Sequence, residues 1–207
     1  MHIKICGITN LEDALAAYHA GAWALGFNFY PPSPRYITKE AAAEIIKQLP
    51  PTLITMGIFI NQPLDEILSL KQQIGLTLLQ VYEDYSCSAQ LKQEMVLVTR
   101  PENTHELPEL GPLKDYSMIL IDAPKDTSCL MGGTGRKANW EVARSLAQRV
   151  KLILAGGINP DNAVAAIQQV QPFALDICSG IESSPGKKNL NLMRQLFEKV
   201  KNHVQTA

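Results

Sequence analysis

The stretch Lys151-Leu152-Ile153-Leu154-Ala155-Gly156-Gly157-Ile158-Asn159-Pro160-Asp161 reads as one complete strand-to-helix joint. An apolar run of strand length ends in a double glycine, and Asn159-Pro160-Asp161 then offers a helix cap, a first-turn proline and a first-turn acid. A continuously apolar strand fits a parallel sheet that is covered by helices on both faces. The same unit recurs outward from this stretch, with strands expected at residues 3–6, 23–29, 53–60, 77–82, 95–99, 118–122, 151–155 and 173–178. Asn10 before Leu11-Glu12-Asp13, Thr38-Lys39-Glu40 and Asn61-Gln62-Pro63 mark further helix starts. The fifth crossover is the exception, because Pro108 and Pro112 break up residues 107–116 and leave at most a short helix.

Eight such units in series predict an α/β protein folded as a single (β/α)8 barrel over residues 1–207. At roughly 26 residues per unit the barrel is compact, within the ~200 to 400 residues of this fold. An open doubly wound sheet also alternates strand and helix, but its dinucleotide-binding form carries Gly-x-Gly-x-x-Gly after the first strand. Here Cys6-Gly7-Ile8-Thr9-Asn10 stands at that point.

A hydrophobic content of 46% suffices for one core, and a net charge of -1 from 19 basic and 20 acidic residues argues against a nucleic-acid or membrane-surface partner. No apolar run approaches the ~18 residues of a membrane span, and Met1-His2-Ile3-Lys4 opens into a strand pattern rather than a signal peptide. A cytoplasmic protein, monomeric or homodimeric, is the expectation. Cys6, Cys87, Cys129 and Cys178 form no Cys-x-x-Cys pair, so neither a disulfide framework nor a zinc ribbon is suggested. His2, His19, His105 and His203 end no expected strand, which turns the search for proton-transfer groups elsewhere.

In a barrel, residues at the carboxyl ends of strands face the active site. Cys6 ends the first strand just before a helix, whose amino terminus favours a thiolate able to act as a base; the alternative is a small buried hydrophobe. Asp122 ends the apolar run Ile119-Leu120-Ile121, where it either supplies a proton or caps a loop. The turns at Gly156-Gly157 and Ser179-Gly180 follow the seventh and eighth strands, where this fold usually binds phosphate on backbone NH groups. Arg35 closes the stiff loop Tyr30-Pro31-Pro32-Ser33-Pro34 and either grips a carboxylate or faces solvent. Gly132, Gly133, Thr134 and Gly135 lie in a long loop that can close as a lid.

Taken together, these segments resemble the phosphoribosylanthranilate isomerase family along essentially the whole chain. The resemblance is carried by Lys4-Ile5-Cys6-Gly7-Ile8-Thr9, Gly26 to Tyr30 with Ser33-Pro34-Arg35-Tyr36, Gly57 to Asn61, Asp122, Gly132 to Gly135, Gly156 to Pro160, and Asp176 to Gly180 ending in Pro185-Gly186-Lys187-Lys188. It implies an Amadori rearrangement of a small phosphorylated substrate, with Asp122 as general acid and Cys6 as general base. It further implies that Arg35 binds the anthranilate carboxylate, that Asp176 and the residue at position 82 line the substrate, and that Gly156, Gly157, Ser179 and Gly180 hold the phosphate. Neither metal nor organic cofactor is implied. The chain departs from the family pattern at Tyr82, where a histidine is usual, at Thr99-Arg100, where a Lys-Ala pair is usual, and at Asn139, where an aspartate is usual. A diverged paralogue with another substrate, or one that only binds, is therefore the second reading. The histidine-pathway sugar isomerase fits less well, since it calls for aspartates where Cys6 and Thr99 stand.

Overall fold

The structure is a computed structural model that describes residues 1–101, 103, 113–123 and 138–206. Eight parallel strands close into a barrel in chain order, each paired with the next and the eighth with the first. They are β1 (His2–Ile5), β2 (Ala24–Asn28), β3 (Ile54–Phe59), β4 (Leu78–Val81), β5 (Met95–Thr99), β6 (Met118–Ile121), β7 (Leu152–Leu154) and β8 (Ala174–Ile177). All eight fall where the apolar runs place them, most of them trimmed at one or both ends. Helices α1 (Leu11–Ala20), α2 (Lys39–Ile46), α3 (Leu64–Ile74), α4 (Ala89–Lys92), α5 (Trp140–Ala147), α6 (Ala163–Val170) and α7 (Leu190–Thr206) surround the barrel. Most of the weak fifth crossover lies outside the described residues.

The helix starts follow the expected side-chain logic in part. Asn10 accepts the Asp13 NH and Thr38 accepts the Ala41 NH, each satisfying an otherwise orphaned donor. Helix α3 begins instead at Pro63 without a side-chain cap. Before α6, Asn159 accepts the NH groups of Asp161 and Asn162 in a turn of its own, and the helix proper starts four residues later. Among the described residues, no helix is long and apolar enough to cross a membrane.

Strand periodicity divides the apolar residues into two cores. Ile3, Ile5, Leu25, Phe27, Ile119, Ile121, Leu175 and Ile177 face outward against the helices. Met56, Val96, Val98, Met118, Leu120, Ile153, Ala155 and Ala174 fill the barrel interior. His2, Trp23 and Phe173 stack on one another at the amino-terminal end and close it. The buried polar residues Lys4, Gln80 and Asp176 share the inward parity and form a charged layer below the opposite mouth.

Candidate active site

The same period of two that fills the barrel also aims the site. Cys6, Tyr82, Arg100, Asp122 and Cys178 are each the first residue past a strand. Each also stands two residues beyond an inward-facing one, namely Lys4, Gln80, Val98, Leu120 and Asp176. All five therefore project toward the axis at the carboxyl-terminal mouth. Asp122 is held at both oxygens. Its Oδ1 accepts the Ala123 NH at 2.8 Å, and its Oδ2 meets Arg100 Nη2 at 3.2 Å. The Arg100 guanidinium also lies 4.7 Å from the centre of the Tyr82 ring, a cation–π contact. Two of the departures from the family pattern are thus one packed pair beside the proposed acid. Burial foremost, and then the Asp122 carboxylate, push the Tyr82 phenol up, so Tyr82 remains a neutral hydroxyl.

A second cluster surrounds Cys6. Its thiol is driven well below its ordinary value, first by a hydrogen bond from Cys178 and then by the Lys4 and Lys188 ammonium groups, against the opposing effect of burial. Cys178 moves the other way, because the bond to Cys6 and its own burial keep the proton on its sulfur. Beneath them Lys4 Nζ donates to Asp176 Oδ2 at 2.9 Å and to Gln80 Oε1 at 3.0 Å. Burial opposes the Lys4 charge, yet Asp176 and then Cys6 hold the amine firmly protonated. Asp176 is pushed up to about 7, chiefly by burial and next by the Cys6 charge. Its second oxygen, Oδ1, is buried and has no hydrogen-bond partner among the described residues.

Arg35 is only 8% exposed, so the solvent-facing alternative falls away. Ser33 Oγ accepts the Arg35 NH and an Asn28 amide hydrogen, locking the proline-rich loop to the end of β2. The guanidinium is already engaged: Nε and Nη2 grip Glu182 at 2.7 to 3.1 Å. Glu182 also accepts Lys188 Nζ at 2.9 Å, and these two cations hold it ionised against burial. Both partners come from a small hairpin, β9 (Glu182–Ser184) and β10 (Lys187–Lys188), that the pattern of apolar runs did not reveal. The Lys188 NH bonds Asp13 Oδ2 and ties this hairpin to α1. A guanidinium has five donors, so the edge turned from Glu182 can still meet another carboxylate.

The turns after β7 and β8 meet one another. Gly156 and Gly157 have φ of 85° and 67°, a region that favours glycine, and Asn162 Nδ2 pins the Gly157 carbonyl at 2.9 Å. A β-carbon on Gly180 would lie 2.0 Å from the Ile158 carbonyl oxygen, so only glycine admits this approach of the two loops. Ser179 and Gly180 open a single 3-10 turn. The two turns that carry Gly156, Gly157, Ser179 and Gly180 thus pack against one another where Gly180 meets Ile158 and Asn159, as an oxyanion cradle shared by both turns requires. Gly132, Gly133, Thr134 and Gly135, the expected lid, lie outside the described residues. Asn139, the third departure, caps α5 through the NH groups of Glu141 and Val142, a task that asparagine and aspartate perform equally well.

Lys4, Gln80, Arg100, Glu182 and Lys188 were not among the site residues expected from the sequence. Counting back by two from Cys6 and Tyr82 would have exposed the first two, whereas nothing local marks Glu182 as the partner of Arg35.

The chain matches the family model described as N-(5'phosphoribosyl)anthranilate (PRA) isomerase over residues 3–199. It is 42% identical over 199 residues to the N-(5'-phosphoribosyl)anthranilate isomerase of Pelobacter propionicus, covering 94% of this chain and 93% of that one. The crystal structure of phosphoribosyl anthranilate isomerase from Thermus thermophilus is similar at a TM-score of 0.85 and 33% identity, covering 98% of this chain and 99% of that one. Another similar structure, with a TM-score of 0.82, 32% identity and the same coverage, is a phosphoribosyl anthranilate isomerase in complex with reduced 1-(o-carboxyphenylamino)-1-deoxyribulose 5-phosphate.

Proposed function

We infer what this site does from one premise: the chain belongs to the N-(5'-phosphoribosyl)anthranilate isomerase family. It is an isomerase of tryptophan biosynthesis that converts N-(5'-phosphoribosyl)anthranilate to 1-(2-carboxyphenylamino)-1-deoxyribulose 5-phosphate. The observation that carries the residue assignment is that Cys6 and Asp122 project inward at the same mouth, with the Cys6 thiol held well below its ordinary value by Cys178, Lys4 and Lys188.

In the proposed mechanism Asp122 gives a proton to the furanose ring oxygen. The bond from that oxygen to the anomeric carbon breaks, and the anthranilate nitrogen lone pair closes an iminium. To act as donor, Asp122 must exchange its Arg100 partner for the ring oxygen. The Cys6 thiolate then removes the proton from the neighbouring sugar carbon, and that electron pair forms the double bond of an enolamine as the iminium nitrogen is neutralised. Protonation at the former anomeric carbon, with loss of the proton from the hydroxyl on the neighbouring carbon, then gives the ketone. General acid and base catalysis of this kind contributes about 10² to 10⁴-fold for each group.

The remaining roles follow from reach and charge. Arg35, its Nε edge fixed by Glu182, offers the other edge of its fork to the anthranilate carboxylate. Gly156, Gly157, Ser179 and Gly180 cradle the phosphate with fixed NH donors. Asp176 and the Tyr82 hydroxyl line the sugar. The test is incubation with freshly made N-(5'-phosphoribosyl)anthranilate while its fluorescence is followed. Enzymatic decay well above the spontaneous rate is expected, and decay no faster than in buffer overturns the reading.

A further inference from the structure

A catalytic thiol at neutral pH needs something to hold its charge, and the barrel interior provides it directly below Cys6. Lys4 is 0% exposed, and an ammonium removed from water is costly unless anions meet it. Strands β1 and β8 pair in register with Lys4 beside Asp176, and the next inward positions on those strands are Cys6 and Cys178. The four side chains therefore form two stacked rungs, Lys4 with Asp176 below and Cys6 with Cys178 at the mouth. In the lower rung Lys4 Nζ is fixed between Asp176 and, from the facing wall, Gln80. Gln80 brings no charge. Asp176, at about 7, is ionised in only part of the molecules near neutrality, so it answers the ammonium incompletely. The second acid that strengthens the hold of Lys4 on its proton is Cys6.

We propose that Lys4 is the positioning residue that keeps Cys6 ionised, with Asp176 and Gln80 fixing its ammonium beneath the sulfur. This rests on the reading of Cys6 as the base. The other charged and titratable groups about Cys6 are already answered in a different way. Arg35, from the loop after β2, and Lys188, from β10, both pair with Glu182 of β9. Arg100, past β5, faces Asp122 of the β6 end and the Tyr82 ring past β4. Cys178, past β8, keeps its proton. Among these groups Lys4 is the cation whose carboxylate partner is itself pushed up, by burial and then by Cys6. When Cys6 takes the substrate proton and becomes neutral, Asp176 remains to meet the ammonium, so no bare charge is left in the interior.

The experiment compares wild type with Lys4→Met, which keeps the length of the side chain and removes its charge. The rate of alkylation of Cys6 by iodoacetamide is measured against pH and read by peptide mass, which separates it from Cys87, Cys129 and Cys178. Only the thiolate reacts, and the readout needs no turnover. The midpoint in Lys4→Met should move up by about one unit or more, so that at pH values below the wild-type midpoint Cys6 reacts about tenfold more slowly. The kcat for isomerisation should fall while KM changes by no more than a few-fold. An unchanged midpoint in a folded Lys4→Met protein overturns the proposal. Should that variant fail to fold, Asp176→Asn gives the second test. Removing the competing carboxylate leaves the ammonium to Cys6, so the midpoint should move down; an unmoved or higher midpoint again overturns the proposal. A wild-type protein that shows the Lys4-dependent midpoint but does not isomerise N-(5'-phosphoribosyl)anthranilate would fail the functional reading alone.

Discussion

Cys6 combines two properties that an ordinary buried thiol lacks, a place at the strand end facing the barrel axis and a proton affinity lowered by its neighbours. Replacing its sulfur by oxygen in Cys6→Ser changes volume little but gives a hydroxyl too weakly acidic to ionise near neutrality. Turnover should fall by at least about 10²-fold, with little change in unfolding temperature; a variant within a few-fold of wild type would return Cys6 to the status of a buried thiol. Because the Cys6 thiol is held well below 9.0, the acid-side decline of kcat/KM should fall well below the ordinary thiol value. A rising limb centred on the ordinary thiol value would contradict the ionised form. Asp122→Asn should cost a comparable factor by a separate route, since an amide cannot release a proton to the ring oxygen.

At the scale of elements, the proposed grip on substrate falls to the turns after β7 and β8 and the loop after β2. A methyl group at Gly180 meets the Ile158 carbonyl at 2.0 Å, so Gly180→Ala must push the two turns apart. It should weaken phosphate recognition, raising KM by about tenfold or more as charge-assisted hydrogen bonds are lost, while kcat suffers less. Arg35→Met should raise KM similarly and, by stripping Glu182 of one of its two cations, should also lower the unfolding temperature. Steady-state kinetics alongside thermal melts would separate these effects; an Arg35→Met variant with unaltered KM would remove Arg35 from the substrate. The hairpin of β9 and β10 belongs to the same device, since it delivers both Glu182 and Lys188 to the rim.

Stability of the whole molecule should report the interior charge layer. Asp176 has a folded value of about 7 against an ordinary 3.8. A group raised on folding stabilises fully below its unfolded value and loses that contribution as pH rises through the folded one. Between about pH 5 and about pH 8 the wild type should therefore lose more thermal stability than Asp176→Asn, measured by melts at both values; parallel losses would place the titration elsewhere. Inorganic phosphate should raise the unfolding temperature of the wild type, since a ligand at ~100 times its Kd stabilises by ~2.7 kcal/mol, and should do less for Gly180→Ala.

The order of apolar runs along the chain determined the barrel by itself, because a strand buried on both faces and followed by a capped amphipathic segment has few ways to satisfy its backbone and bury its surface. The place of Cys6 and Asp122 at the mouth was legible for a related reason: in this fold the position just past a strand is also a position at the mouth, and the loop of Arg35 and the glycine turns follow β2, β7 and β8. Partnership was not legible. Lys4 and Asp176 are 172 residues apart, Arg35 and Glu182 are 147 apart, and no local pattern announces that such charges will meet. Closure of the sheet between β8 and β1 brings Asp176 beside Lys4 and Cys178 beside Cys6, and the hairpin after β8 carries Glu182 to Arg35. The identity of a chemical group is written at one position, but its proton affinity depends on the charges and burial around it, and those exist only once distant strands have been brought into register.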